Sequence, residues 1–207
     1  MALEHEARGE RAPTRRRRSP EEAKAQALEC ARRLLIERGP KSVTLHAIAT
    51  EIGVTHGALI HHFGSAARLQ SALMGDLVKD LAEALGTAVQ RIRSDESATR
   101  SVVDIVFDAF DEGGAGQLAA WIALSNRYEH LEPVREAVTG LVAALDDKVR
   151  AAADPPPRHI PSALLFITLC AFGDAMIGGP LRDMLGRDRD SVRRVAERAF
   201  PKLLTDP

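Results

Sequence analysis

Aromatic residues make up only 4% of the chain, with one Trp, one Tyr and six Phe among 207 residues. That scarcity argues against a sheet-based core, which leans on β-branched and aromatic side chains. Cysteine is almost absent. Cys30 and Cys170 stand in separate apolar stretches without CxxC spacing, so buried free thiols are expected and no thiolate metal site. No sign of charge dominates, the formal net charge being −1, and the molecule as a whole is not a polycation. The longest apolar run, Ala163 to Phe172, falls short of the roughly 20 residues a bilayer span needs. Met1 to Pro20 is polar and Arg-rich, without the apolar core of a signal peptide. A cytoplasmic protein with no membrane partner is expected. There is no Gly-rich phosphate loop, no GxSxG and no HExxH. Asp146-Asp147 and Asp188/Asp190 read as solvated carboxylates, so no catalytic residue, no cofactor and no enzyme are expected.

What is abundant is Ala and Leu, within 45% hydrophobic residues, and these favour packed helices. The charge is unevenly placed. Residues 1–64 hold 11 Lys/Arg against 8 Asp/Glu, leaving 17 against 21 for residues 65–207, and five of the seven histidines (His5, His46, His56, His61, His62) fall in the first part. A basic end on an acidic body suggests a face for a polyanion. Residues 1–19 carry Pro, Gly and charge without periodicity and read as a disordered arm. Ser19-Pro20-Glu21-Glu22 has the form of a helix start, with a helix running to Arg38 and stopping at Gly39-Pro40. Short helices follow from Thr44 to about Ile52 and from Thr55 to Phe63-Gly64. A fourth, capped by Ser65, carries Leu69, Leu73, Leu77, Leu81 and Leu85 to about Arg93, as one helix or two. Further helices are expected near Glu96–Phe110, Gln117–Tyr128, Pro133–Ala153 and Pro161–Ile177. The last, Asp190 to Leu204, should follow a Gly178-Gly179-Pro180 turn. The fold class is all-α, with about nine helices: residues 20–64 form a three-helix unit and residues 65–207 a larger helical domain.

The informative stretch is Thr44 to Phe63, TLHAIATEIGVTHGALIHHF. Two short helices crossing steeply need a small residue at the crossing, a turn residue tolerant of left-handed backbone, and apolar residues to pin the pair. Ala49 and Gly53 supply the first two. Leu45, Ile48, Ile52, Val54, Leu59 and Phe63 supply the third. The second helix then exposes Thr55, His56, Gly57, Ala58, Ile60, His61 and His62, a surface suited to close approach to a major groove. The histidines are poorly spaced for a metal, since His61 and His62 diverge by about 100° on a helix; no metal is expected.

Thr44, Leu45, Ile48, Ala49, Gly53, Val54, Thr55, Gly57, Leu59, His62 and Phe63 resemble the DNA-binding pattern of the TetR family of transcriptional regulators. The resemblance covers about 45 residues with the first helix. It departs at Ile60, where the family usually has a phosphate-contacting Tyr, and at Ala66, where a Lys is common; Arg68 is a possible substitute. The resemblance implies that Thr44 binds a phosphate through its hydroxyl and backbone N–H. It places Thr55, His56 and Gly57 at base edges, and His61 and His62 on the sugar-phosphate backbone. Arg15 to Arg18 offer an arm for the phosphates or a minor groove, or a solvated tail. The resemblance also implies a homodimer through the last two long helices. Leu165, Leu169, Phe172 and Met176 share one face, and Val192, Val195 and Ala199 another; an intramolecular core is the alternative. A ligand pocket is expected among the fifth to eighth helices, from Phe107, Phe110, Trp121, Tyr128 and Phe166, with Asn126, Arg127 and Asp174 as polar candidates. The expected function is a ligand-responsive repressor that binds a palindromic operator in double-stranded DNA as a dimer and is released by a small lipophilic effector. The alternative, suggested by Ile60 and Ala66, is a small-molecule-binding protein of the same fold with weakened DNA binding.

Overall fold

A computed structural model describes residues 19–89, 98–126, 130–152 and 159–205, and within these it contains nine helices and no strand. Helix α1 (Pro20–Arg38) begins in a capping box: the Ser19 hydroxyl accepts the Glu22 N–H at 3.1 Å, and the Glu22 carboxylate accepts the Ser19 N–H at 2.9 Å. A 3-10 turn (Pro40–Ser42) leads to α2 (Leu45–Ile52) and α3 (His56–Phe63). Helix α4 (Ala66–Val89) is unbroken, and α5 (Ala98–Phe110), α6 (Ala115–Leu124) and α7 (Glu132–Ala152) follow. Helix α6 starts two residues before its expected position, because Gly114 takes the left-handed backbone (φ 75°) at its N-cap. It ends at Leu124, four residues short of the expected Tyr128, in a turn where Asn126 takes positive φ; Tyr128 itself, Arg127 and the Arg15–Arg18 arm lie outside the described residues.

The Gly178-Gly179-Pro180 turn is not there. The chain stays helical from Ile160 to Leu185 as a 26-residue α8, about 39 Å long at 1.5 Å per residue. Pro180 lacks an N–H and would leave a carbonyl unbonded in regular α register. The backbone instead passes through a π turn at Asp174–Gly178 immediately before it, then resumes as α-helix over Gly179–Leu185. By length and composition alone α8 is apolar enough to cross a membrane, which corrects the estimate made from the Ala163–Phe172 run. Its Ala163, Ile167 and Ala171 are buried against the rest of the fold, as befits a helix of a folded domain. Helix α9 (Ser191–Thr205) closes the chain.

Two cores organise the packing. The first joins α1, α2 and α3 through Ala31, Leu34, Leu35, Ile48, Leu59 and Phe63, and α4 closes it with Leu69, Leu73 and Met74. Helix α6 adds Ala115, Leu118 and Ile122 to the same core. The three-helix unit of residues 20–64 is therefore sealed by residues well beyond it. The second core lies among α4, α5, α7, α8 and α9, around Leu85, Val103, Phe107, Leu141 and Ile167. Helix α9 is tied to α5 by charge. Arg193 reaches Asp104 (3.0 Å) and Asp108 (2.7 Å), and its guanidinium lies 5.3 Å from the Phe107 ring centroid. Arg100 pairs with Asp104 (2.8 Å) and with Asp190.

Candidate DNA interface and ligand cavity

Both helices of the α2–α3 pair are capped by their own sequence. The Thr44 hydroxyl accepts the Ala47 N–H at 3.1 Å, and the Thr55 hydroxyl accepts the Ala58 N–H at 3.2 Å. Between them Gly53 takes the left-handed conformation (φ 67°, ψ 39°) that ends α2, and the Val54 N–H closes on the Ala49 carbonyl at 3.0 Å. Ala49 is buried at the crossing. Thr55, His56, Gly57 and His61 are exposed and His62 is half-buried, so the α3 residues singled out from the sequence share one small helix and its cap. Thr44 is half-buried, and its backbone N–H is already given to the Ser42 carbonyl at 2.9 Å. This corrects the expectation of a free amide: Thr44 keeps only its hydroxyl proton to donate outward.

Gly57 carries the clearest signal. A Cβ placed there meets nothing within 4 Å, so no neighbour in the chain requires glycine. Yet glycine costs a helix about 1 kcal/mol relative to alanine. A bare backbone at the start of an exposed helix is what close approach to an external surface needs. Ile60 on the same helix is 44% exposed. Arg68 lies against the Gly64 turn, its guanidinium 3.4 Å from where a Cβ on Gly64 would stand.

A cavity of about 520 Å³ lies behind this unit, between α4, α5, α6, α7 and α8. Met74, Leu77, Val78 and Leu81 form its α4 wall, on the spacing that reads from sequence as ordinary core. Ala115, Ala119 and Ile122 of α6 form another wall. Phe110 lines it, edge-to-face with Phe172 at 6.5 Å between centroids. Thr168 is the one polar side chain in the lining among the described residues. Of the other expected aromatics, Phe107 is 2% exposed and packed in the second core under Arg193. Trp121 and Phe166 are half-buried outside the lining, and Tyr128 falls outside the described residues. Asn126 sits exposed in a positive-φ turn. Asp174 is spent on an ion pair with Arg182, and both side chains are largely covered (11% and 17% exposed). Burial raises the Asp174 carboxyl above its ordinary value, with Arg182 pulling it back. A Cβ on Gly178 would collide with both partners, so this glycine makes room for the pair.

The face expected to dimerise divides in two. Leu165 and Leu169 are 61% and 60% exposed, and Val195 of α9, which shares a groove with Leu169, is exposed too. Phe172 turns in toward Phe110, and the Met176 methyl packs near Gly116. Val192 packs on the second core and Ala199 is half-buried. The π turn, which takes one residue more per turn, moves the outward stripe from Met176 to Ile177, whereas Phe172, before it, and Val192, on α9, turn in to pack on Phe110 and on the second core. The outward residues are then Ile177, within the turn, and Leu181, Met184 and Leu185 past it. Ile177, Leu181 and Leu185 border a groove with Val195 of α9, rimmed by Arg187 and Arg198. Sequence periodicity assumed an unbroken α register and so continued the stripe through Met176 rather than Ile177.

Residues 27–73 match the model of the bacterial regulatory proteins of the tetR family. A transcriptional repressor of Mycobacterium tuberculosis, Rv3405c, is 33% identical over 107 residues, half of this chain and half of that protein. Among solved structures, a protein of unknown function from Rhodococcus sp. RHA1 superposes with a TM-score of 0.65 at 22% identity, covering 94% of this chain and all of that one. The multidrug binding protein EbrR, solved with ethidium, superposes with a TM-score of 0.60 at 18% identity over 86% of this chain and 97% of its own.

Proposed function

We propose that this chain, whose residues 27–73 match the model of the tetR family of bacterial regulatory proteins, is a cytoplasmic transcriptional repressor of that family, binding a palindromic operator as a homodimer and released by a small lipophilic effector. Thr55, His56 and Gly57 meet base edges, while His61, His62 and the Thr44 hydroxyl meet the sugar-phosphate backbone. The exposed stripe of α8 and α9 packs against a second copy, setting two α3 helices about one DNA turn apart. The effector lies in the cavity around Phe110, whose apolar lining favours a lipophilic molecule. EbrR is a relative in fold whose structure was solved with a small molecule.

The observation that carries the reading is the double duty of α4. Leu69 and Leu73 complete the core beneath α2 and α3, while Met74, Leu77, Val78 and Leu81 wall the cavity. Between them the buried Gln70 gives its amide N–H to the Val43 carbonyl at 3.0 Å, one residue before the Thr44 cap. A molecule that shifts α4 moves the frame of the reading head. By linkage it lowers DNA affinity by the ratio of its affinities for the two arrangements. The test is reciprocity with a neutral apolar fluorophore, N-phenyl-1-naphthylamine, as the cavity probe. Its affinity should drop when a duplex selected by this protein is bound, and by the same factor the probe should weaken the duplex. Probe binding with no effect on the duplex contradicts the effector mechanism. Probe binding with no duplex selected favours the ligand-binding protein with decayed DNA binding, the reading that Ile60 and Ala66 support.

A further inference from the structure

Between Lys41 and Arg68 the chain has no lysine and no arginine, although this stretch holds the whole α2–α3 pair. Its basic side chains are four histidines. His46 on α2 stands edge-on to His56 at the start of α3, 6.3 Å between ring centroids. His61 and His62 form a second edge-on pair, 5.8 Å apart, in the last turn of α3. His46, missed as a site residue from the sequence, is exposed like His56 and His61. Glu51 is the single carboxylate between residues 38 and 75, and from α1 Arg33 (3.1 Å) and Arg38 (3.5 Å) engage it. The other charges bordering the face are Lys41, exposed in the turn before α2, and Arg68 on α4.

We propose that this face neutralises DNA phosphates with protonated His46, His61 and His62, with His56 beside His46 at the base edges, so that duplex binding takes up protons and tightens as the pH falls. The proposal rests on the DNA-binding reading above. A phosphate beside an imidazole favours its charged form, and histidine is the side chain that changes charge between about pH 5 and pH 8. The complex then holds more protons than the free partners. Linkage makes affinity rise with proton concentration, by up to about tenfold per pH unit for each proton taken up. The gain levels off once the histidines are charged in the free protein. Each added charge also steepens the salt dependence by roughly 0.9 in the log–log slope. A face built on lysine and arginine shows neither effect, since those side chains stay charged throughout this range.

The test uses the full chain and a duplex selected from a random pool near pH 6.5, with labelled-duplex anisotropy at fixed ionic strength between about pH 8 and pH 6. The wild type should bind roughly 10- to 100-fold more tightly at the acid end, with a salt slope steeper by about one to two. The four-fold variant H46Q/H56Q/H61Q/H62Q keeps hydrogen-bonding side chains and should lose the pH dependence. H61Q/H62Q should lose part of it, and restoring His46 to the four-fold variant should return part. Circular dichroism at each pH checks that the variants are folded. A wild type whose affinity changes less than about threefold over that range, or a four-fold variant that keeps the full dependence, overturns the proposal while leaving DNA binding intact. A pool in which nothing is enriched overturns the DNA-binding reading itself, and this proposal with it.

Discussion

Helices α3 and α8 show solvent surfaces of opposite kinds: α3 carries no Asp, Glu, Lys or Arg, while on α8 an exposed Asp183 stands among large aliphatic side chains. Helix α3 has eight residues, caps of its own at each end, and an outward face of small or hydrogen-bonding side chains around a bare Gly57. Helix α8 has 26 residues, a π turn in its middle, and an outward face of large aliphatic side chains, with Met184 at 80% exposure. Small residues let a rigid surface come close and be read by hydrogen bonds. Large aliphatic ones gain by leaving water, at about 25 cal/mol per Å². The difference fits the proposed partners: a polar groove for α3, and another apolar face for α8.

The contrast can be broken at its strongest point, the ion pair inside α8. Arg182→Leu leaves Asp174 covered and unpaired, and should cost about 3 kcal/mol in urea unfolding. Because burial already raises this carboxyl in the fold, the lost stability should return in part as the pH falls and the acid takes up its proton. Asp174→Asn in the same background should return it at neutral pH. Leu181→Glu together with Leu185→Glu should abolish the proposed dimer at micromolar concentration by sedimentation while leaving helix content unchanged. On the α3 side, Gly53→Val forces a branched side chain into left-handed backbone and should cost about 1–2 kcal/mol. Gly57→Ala should act in opposite directions on two readouts. It should raise thermal stability by up to about 1 kcal/mol, since nothing crowds the new methyl, while weakening DNA binding. The smallest effect concerns the tie between α5 and α9. Hydrogen bonds from Arg100 hold the Asp190 carboxyl below the usual carboxylate range. Its contribution is complete above about pH 4 and is lost as the pH drops further, so acid should loosen α9, visible as faster amide exchange there.

The same contrast explains what could be read from the residues alone. Caps, a left-handed glycine and a small crossing residue are local demands. Thr44, Ala49, Gly53 and Thr55 met them within a dozen positions, so the α2–α3 pair was legible to its boundaries. The nine-helix count was legible too. The continuation of α8 through Gly-Gly-Pro was not, because a π turn is a compromise between Pro180 and the packing of α8 on α5 and α9. The cavity was half legible. Phe110 was singled out, but Leu77 and Leu81 stood in the leucine repeat of the fourth helix, and no local pattern tells an aliphatic wall from an aliphatic core. Phe107 shows the converse: an aromatic in the expected region that serves packing. Gln70 drew no attention, since its worth lies in reaching Val43, 27 residues away.

The central claim is that α3 reads DNA in a symmetric pair. Selection of bound sites from a random duplex pool, followed by sequencing of the enriched fraction, tests it directly. The account predicts a palindrome whose half-sites are centred about one helical turn apart, lost in Gly57→Ala. An unenriched pool, or enrichment that Gly57→Ala leaves unchanged, would contradict it.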